Sequence, residues 1–242
     1  MNNTAPNYDP LNDETPPGQQ WPGSTAAPVV NVGQFMGKVY GWMGFGLAVT
    51  GCVAGVAASM PGWVDLVKSV RGVLIGVIVV QWIMSAVFAR SFRKVSFGTA
   101  AAMFLSHAFV LGLITSSAFI AYTTTSVATV FYITAGMFAA MAAIGTFTKR
   151  DLSPMGQVLS MIFSGLLITC VVNWFLGSSG LGWGIAFVSV FLFSGLIAYH
   201  TQRSRTWAKE GDDRYALMAA FELTIDFVNL FFALLRLLGR RR

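Results

Sequence analysis

Seven long apolar segments limit what this chain of 242 residues can fold into. A helix needs about 20 apolar residues to cross a bilayer core that is roughly 30 Å thick. The segments show no alternation of apolar and polar residues, so we expect helices rather than membrane strands. The sequence therefore predicts an all-α, multi-pass membrane protein in which seven transmembrane helices form a bundle over residues 35–242. The predicted spans are residues 37–59, 73–89, 97–119, 127–147, 155–176, 183–199 and 215–238.

The composition supports a membrane protein and argues against soluble classes. Charged residues make up 11% of the chain, whereas a soluble domain has roughly 25%, and the mean hydropathy is +0.64. An ordinary soluble enzyme, a disordered protein and a nucleic-acid-binding protein are all excluded on this ground. The net charge of +6 arises from short basic clusters between apolar segments. We therefore expect the lipid bilayer, and no nucleic acid, as a partner.

The first 34 residues differ from the rest of the chain. They hold six of the eight prolines, three acidic residues and no Lys or Arg. Such a segment buries too little apolar surface to offset the entropy lost on ordering. It also lacks the basic start and apolar core of a secretory signal. We expect residues 1–34 to be a disordered, proline-rich tail in the cytosol.

Basic residues are concentrated in alternate loops. Nine lie in the loops after the second, fourth and sixth spans, whereas the other three loops hold only Lys68 and Arg71. The positive-inside rule places the nine basic residues and the N-terminus in the cytosol. The side of the C-terminus stays open, because a re-entrant last segment would reverse it. Short loops and the lack of a sorting signal favour a bacterial cytoplasmic membrane. The nine are Arg90, Arg93, Lys94, Lys149, Arg150, Arg203, Arg205, Lys209 and Arg214.

Small residues recur at the spacing that allows helices to pack closely in lipid. Four pairs of glycines are separated by three residues, and we expect them to lie at helix interfaces. Cys52 and Cys170 lie inside apolar segments, so we expect both to be buried packing residues rather than disulfide or zinc ligands. The glycine pairs are 37 and 41, 51 and 55, 72 and 76, and 180 and 184.

The seventh span carries the acidic residues that most invite a functional interpretation. Glu222 and Asp226 are four residues apart, Asn229 follows three later, and all three share one helix face. Ionisable groups inside a bilayer are costly and commonly mark ion pathways. The alternative is a buried hydrogen-bonded network that only fixes packing. Glu222, near the start of the helix, could also reach the membrane interface.

Three motifs resemble a known family. Gly145-Thr-Phe-Thr-Lys-Arg-Asp-Leu-Ser-Pro-Met-Gly156 resembles the TKRDLSxMG loop of the Bax inhibitor-1 family. The segment from Leu223 to Gly239 resembles its LYLDFINLFLxLLRLLG ending, and Tyr199-His-Thr-Gln202 is similar to its (F/Y)DTQ motif. The resemblance implies a seven-helix bundle with the last helix central. It further implies a pH-responsive calcium leak and, in eukaryotic members, suppression of cell death.

One substitution separates this chain from the family pattern. The family's two facing aspartates, on helices six and seven, correspond here to His200 and Asp226. Calcium prefers about six to eight oxygen ligands and binds imidazole poorly, so we expect Asp226 to be at most a weak, transient calcium ligand and expect no other cofactor. A His200–Asp226 pair could still act as a gate that opens when the carboxylate is protonated. His200 could instead extend to the cytosolic interface. Arg90 could pair with Asp226 or Glu222, or only fix topology.

The sequence contains no motif of a known enzyme class. There is no GxSxG elbow, HExxH, P-loop or GxGxxG before a helix, and the last span lacks the lysine of a retinal-binding pump. We therefore expect no catalytic activity. Two hypotheses remain: an ion leak gated around Asp226, or a non-conducting regulatory protein that binds a membrane protease or another membrane protein.

Overall fold

A computed structural model describes residues 31–70 and 72–242 of the protein. These residues form eight α-helices and one 3-10 turn, with no strand among them. Seven of the helices, all except α2, are long and apolar enough to cross a membrane. The predicted all-α fold with seven spans is therefore confirmed. The helices are α1 (Val32–Ser59), α2 (Pro61–Ser69), α3 (Gly72–Ser91), α4 (Phe97–Ala121), α5 (Thr124–Phe147), α6 (Ser153–Leu176), α7 (Ser179–Trp207) and α8 (Asp213–Leu238).

The last helix, α8, lies at the centre of the bundle. It packs against α1, α4, α5 and α7, and 78% of its most apolar window is buried, compared with 11% for α3 and for α6. The helices around it are apolar on all sides because lipid is their solvent. α3 packs on α4, and α6 packs on α7, so these two helices form the outer layer. The prediction of a central last helix is confirmed.

Two connections differ from the sequence prediction. The connection between the first and second predicted spans contains the nine-residue helix α2, which begins at Pro61, since proline is well suited to the first position of a helix. The connection between α6 and α7 is shorter than the predicted spans leave, because α7 already begins at Ser179. Gly177 ends α6 with a φ of 64°, a conformation that favours glycine.

The glycines that allow close helix approach are not the ones predicted. A Cβ atom added to any glycine of the four spaced pairs would meet nothing within 4 Å, so these glycines are not packing sites between the described helices. Close approaches occur instead at Gly46 against Phe104 and at Gly145 against the Ala198 carbonyl. Spacing alone does not show which face of a uniformly apolar helix turns inward.

The prediction that both cysteines are buried is wrong. Cys52 and Cys170 are exposed on the surface of the bundle. In a membrane protein an apolar neighbourhood in the sequence is also typical of a surface that faces lipid. His107, by contrast, lies in the interior of the bundle, and its Nε2 lies 2.5 Å from Nε2 of Gln81.

The chain crosses the bundle seven times in full. α8 is continuous, and the residues after it pair with the link between α4 and α5, where Thr123 N–H donates to the Arg240 carbonyl at 3.1 Å. The C-terminus therefore lies at the end opposite the three basic loops, and no re-entrant segment is present in the described chain. The tail prediction for residues 1–30 lies outside the described residues, and α1 begins at Val32, inside the segment assigned to the tail.

Candidate functional site

A partly buried histidine and a buried aspartate join the two innermost helices. His200 Nδ1 lies 2.5 Å from Asp226 Oδ2, between α7 and α8. The Asp226 side chain is 3% exposed and that of His200 is 15% exposed. An Nδ1–H can donate to the carboxylate from either a neutral or a charged imidazole. We call this contact the histidine pair; it places together two residues that the sequence analysis singled out.

A second polar contact follows one turn closer to the basic end of the bundle. Arg203 Nη1 lies 3.5 Å from Glu222 Oε1, and we call this contact the arginine pair. The two helices are antiparallel, so a residue further along α7 lies opposite an earlier residue of α8. Four charge-bearing side chains therefore form two successive contacts across one helix interface.

Glu222 is only partly satisfied by its partner. Its side chain is 12% exposed, and Oε2 is buried without a hydrogen-bond partner in the described structure. The Arg203 guanidinium also lies over the Trp207 ring, 4.4 Å from its centroid. Burying a carboxylate is costly unless a cation or donors compensate it. Arg203 therefore holds Glu222 weakly and is itself shared with an aromatic ring.

The other two predicted site residues do not join these pairs. Arg90 is exposed at the end of α3 and forms no ion pair among the described residues. Of its two alternatives, pairing with Asp226 or Glu222 is therefore not seen, and a role in topology stays a prediction. Arg203 takes that place because it lies on the helix packed directly against α8. Asn229 donates from Nδ2 to the Ile225 carbonyl of its own helix at 3.0 Å.

The loop motif between α5 and α6 is bound to the end of α7 by one glutamine. Gln202 Oε1 accepts from Leu152 N–H at 2.8 Å, and its Nε2 donates to the Arg150 carbonyl at 2.8 Å. The first turn of α6 also approaches α7 closely, because a Cβ atom on Gly156 would overlap the Tyr199 ring. The loop and the (F/Y)DTQ-like motif are thus parts of one contact, two residues from His200.

Two cavities open at the basic end of the bundle, on either side of Arg203. The larger, about 470 Å³, extends from the end of α3 to Glu222. The smaller, about 280 Å³, lies beside the α5–α6 loop and includes Lys149 and Asp151. Asp226 lies one helical turn beyond Glu222 and is not itself in the larger cavity. The residues that line the larger cavity include Phe92, Arg93, Arg203, Trp207, Met218 and Glu222.

The described residues contain no group of three or more His, Cys, Asp or Glu placed to hold a metal ion. Asp226 offers calcium few oxygens, since Oδ2 already faces His200, and calcium prefers about six to eight. A weak calcium contact at Asp226 stays a prediction.

Comparison with known proteins decides the family. The family model described as "Inhibitor of apoptosis-promoting Bax1" matches residues 32–242, the whole helical bundle. The chain belongs to the Bax inhibitor-1 family. Among its members, the inner membrane protein YbhL of Escherichia coli strain K12 is 38% identical over 226 residues, which cover 90% of this chain and 97% of YbhL. An uncharacterized protein of Deinococcus radiodurans is 36% identical over 208 residues, covering 84% of this chain and 89% of the relative. The uncharacterized protein RP147 of Rickettsia prowazekii is 34% identical over 215 residues, covering 86% and 90%.

Family membership confirms that the chain is an integral, multi-pass membrane protein of the Bax inhibitor-1 type. Sequence analysis missed the role of Arg203, which it placed among the loop charges that set topology. The spacing could have revealed it. Consecutive spans joined by a short loop are antiparallel neighbours. His200 and Arg203, three residues apart on α7, therefore face Asp226 and Glu222, four residues apart on α8.

Proposed function

We propose that this protein is a pH-responsive ion leak, with calcium as the ion to test first, and that the histidine pair is its gate. The carrying observation is the 2.5 Å contact between His200 and Asp226. In the closed form this contact holds α7 against the central helix α8. Family membership supports the proposal. Calcium is chosen as the permeating ion because the resemblance to the family implies a calcium leak.

Acid opens the gate by removing the charge of Asp226. A carboxylate accepts a strong hydrogen bond from the imidazole, and once protonated it loses the electrostatic part of that attraction. A hydrogen bond to a charged group contributes about 1.5–3 kcal/mol. Loss of that energy shifts the balance between closed and open forms by about tenfold or more. The leak therefore rises as the pH falls.

Flux measurements on the purified protein in liposomes test this proposal. We expect His200→Ala to raise calcium flux at neutral pH by about tenfold and to flatten its dependence between about pH 5 and 8. The contact is lost in this variant, so the gate stays open whatever the protonation state of Asp226. Asp226→Asn mimics the protonated carboxyl group, and we expect it also to raise the flux at neutral pH and to remove its pH dependence. Asp65→Asn, on the surface of α2, is the matched control and should behave as the wild type does.

Two results would overturn the proposal. A flux that His200→Ala leaves unchanged over this pH range would show that the histidine pair is not the gate. If neither pH nor any ion elicits flux from the wild-type protein, while crosslinking recovers a membrane protease or another membrane protein, the alternative holds. The protein would then be a non-conducting regulator, and the buried pair would fix its packing.

A further inference from the structure

The larger cavity at the basic end is lined by one carboxyl group, that of the largely buried Glu222. Its volume is about 470 Å³, many times the roughly 30 Å³ that one water molecule occupies in the liquid. Glu222 lies at its inner end, and Asp226 lies one turn further along the same helix face. Glu222 is thus the only carboxyl group among the described residues lining this cavity, and the next residue on its face is the aspartate of the gate.

We propose that Glu222 is a proton relay between this cavity and Asp226. This inference rests on the proposed gate and names the route by which it is controlled. Water in the cavity protonates Glu222, whose side chain lines the cavity and is 12% exposed. The proton then passes to the Asp226 carboxylate, and Glu222 returns to its anionic form. Asp226 itself is 2% exposed, so it needs such an intermediate.

The charges around Glu222 favour a proton over a metal cation on this route. Arg203 of α7 lies 3.5 Å from Glu222, and His200 of α7 faces Asp226 one turn further along α8. Arg93, which follows α3, lies at the cavity wall. On α4, His107 lies against the neighbouring Phe221 ring and bonds Gln81 instead. Two guanidinium groups at the cavity repel calcium electrostatically, whereas a proton can move by transfer between water and the carboxyl group. The proton is the signal on this route and not the transported ion.

A pH jump followed by infrared spectroscopy tests the relay without requiring conduction. The full-length protein in lipid nanodiscs is mixed rapidly from neutral to acidic buffer, and the carbonyl band of protonated carboxyl groups is followed in time. Asp226→Asn identifies the band of Asp226. We expect Glu222→Gln to slow its protonation by about tenfold or more. Glu210→Gln removes an exposed carboxyl group at the same end and should leave the rate unchanged.

Two further measurements separate a relay from a merely structural role. Formate is small enough to enter the cavity and should restore fast protonation in Glu222→Gln in proportion to its concentration. Met218→Trp fills the cavity without changing a titratable group, so it should also slow the appearance of the Asp226 band. An unchanged rate in Glu222→Gln, or failure of formate to restore it, would overturn the relay. If the relay is observed but liposomes show no leak, the proposed function fails alone.

Discussion

At the residue scale, one arginine connects the start of the central helix to the wall of the larger cavity. Arg214 Nη1 donates to the Arg93 and Val95 carbonyls at 2.9 and 3.0 Å. Its Nη2 lies 2.5 Å from Asp212 Oδ2. Asp212 precedes α8, and its Oδ1 accepts from Arg214 N–H at 2.8 Å. The side chain of Arg214 therefore holds the α3–α4 loop, and with it Arg93, beside α8.

This contact predicts a pH-dependent stability. The hydrogen bond from Arg214 lowers the pKa of Asp212 below its usual value. A carboxyl group with a lowered folded-state pKa stabilises the protein above its unfolded-state pKa, and this stability is lost as the pH falls through the folded-state pKa. Asp212→Asn keeps a good helix cap but removes the charge. We expect it to lower the free energy of unfolding by about 0.5 kcal/mol at neutral pH and by nothing in strong acid.

Thermal unfolding in detergent over a range of pH measures this difference. Asp65→Asn, an exposed carboxyl group on α2 with no ion pair among the described residues, provides the control and should change little at any pH. An Asp212→Asn variant whose deficit stayed constant down to strong acid would show that its charge makes no contribution.

Single residues also show what sequence alone could supply for the site. Asp226 and Glu222 could be identified because they are the two acidic residues inside the spans. Their partners depend on which helix packs against α8, and on rotation about the helix axis. Arg90 and Arg203 both lie near the ends of spans on the same side, and only the spacing of the basic residues on α7 distinguishes Arg203 as the partner of Glu222. Gln202 lies in the (F/Y)DTQ-like motif, but only the structure shows its two hydrogen bonds to the α5–α6 loop.

At the element scale, the crossing of α5 and α7 depends on one glycine. A Cβ atom on Gly145 would overlap the carbonyl of Ala198, and backbone cannot move aside as a flexible side chain can. One residue later, the Thr146 carbonyl accepts a hydrogen bond from Arg205 Nη1. This close crossing holds the α5–α6 loop against the end of α7, next to His200.

We expect Gly145→Ala to lower the free energy of unfolding by about 1–3 kcal/mol, the usual range for overpacking. Gly136→Ala in the same helix is the matched control, because a Cβ atom there meets nothing within 4 Å. It should be neutral or stabilise the helix by up to about 1 kcal/mol. Thermal unfolding of both variants in one detergent measures the contrast. Equal stabilities would show that the two helices separate freely.

The spans were predictable to within about five residues, except that α7 continues eight residues past its predicted end, to Trp207. The contacts between helices were not predictable. Length and hydropathy are enough to locate a span, so α4 begins at Phe97 and α6 ends at Leu176 as predicted. Length and hydropathy do not show which face of a span turns toward the other helices. Outer helices are equally apolar toward lipid and toward protein, which is why the spaced glycines and the two cysteines were assigned to the wrong surface.

At the scale of the whole molecule, the three basic loops and the C-terminus lie at opposite ends of the bundle. Lys38 near the start of α1 lies 2.6 Å from Asp213 at the start of α8. This contact places the beginning of α1 at the same end as the basic loops, the histidine-pair side of α7 and both cavities. The C-terminal residues lie at the opposite end, along the link that contains Thr123. An odd number of crossings requires this arrangement.

The positive-inside rule gives these ends a direction, which predicts the result of labelling. In a background of Cys52→Ala and Cys170→Ala, a membrane-impermeant thiol reagent applied to intact cells should label Arg240→Cys and should not label Lys149→Cys or Thr4→Cys. Lysed cells, in which all three must react, control for accessibility. Because acid must reach Glu222 through the cavity at the Lys149 end, the same orientation makes the gate respond to cytosolic pH. Labelling of Lys149→Cys in intact cells would show that the topology is the reverse of the one predicted. The gate would then respond to the external pH.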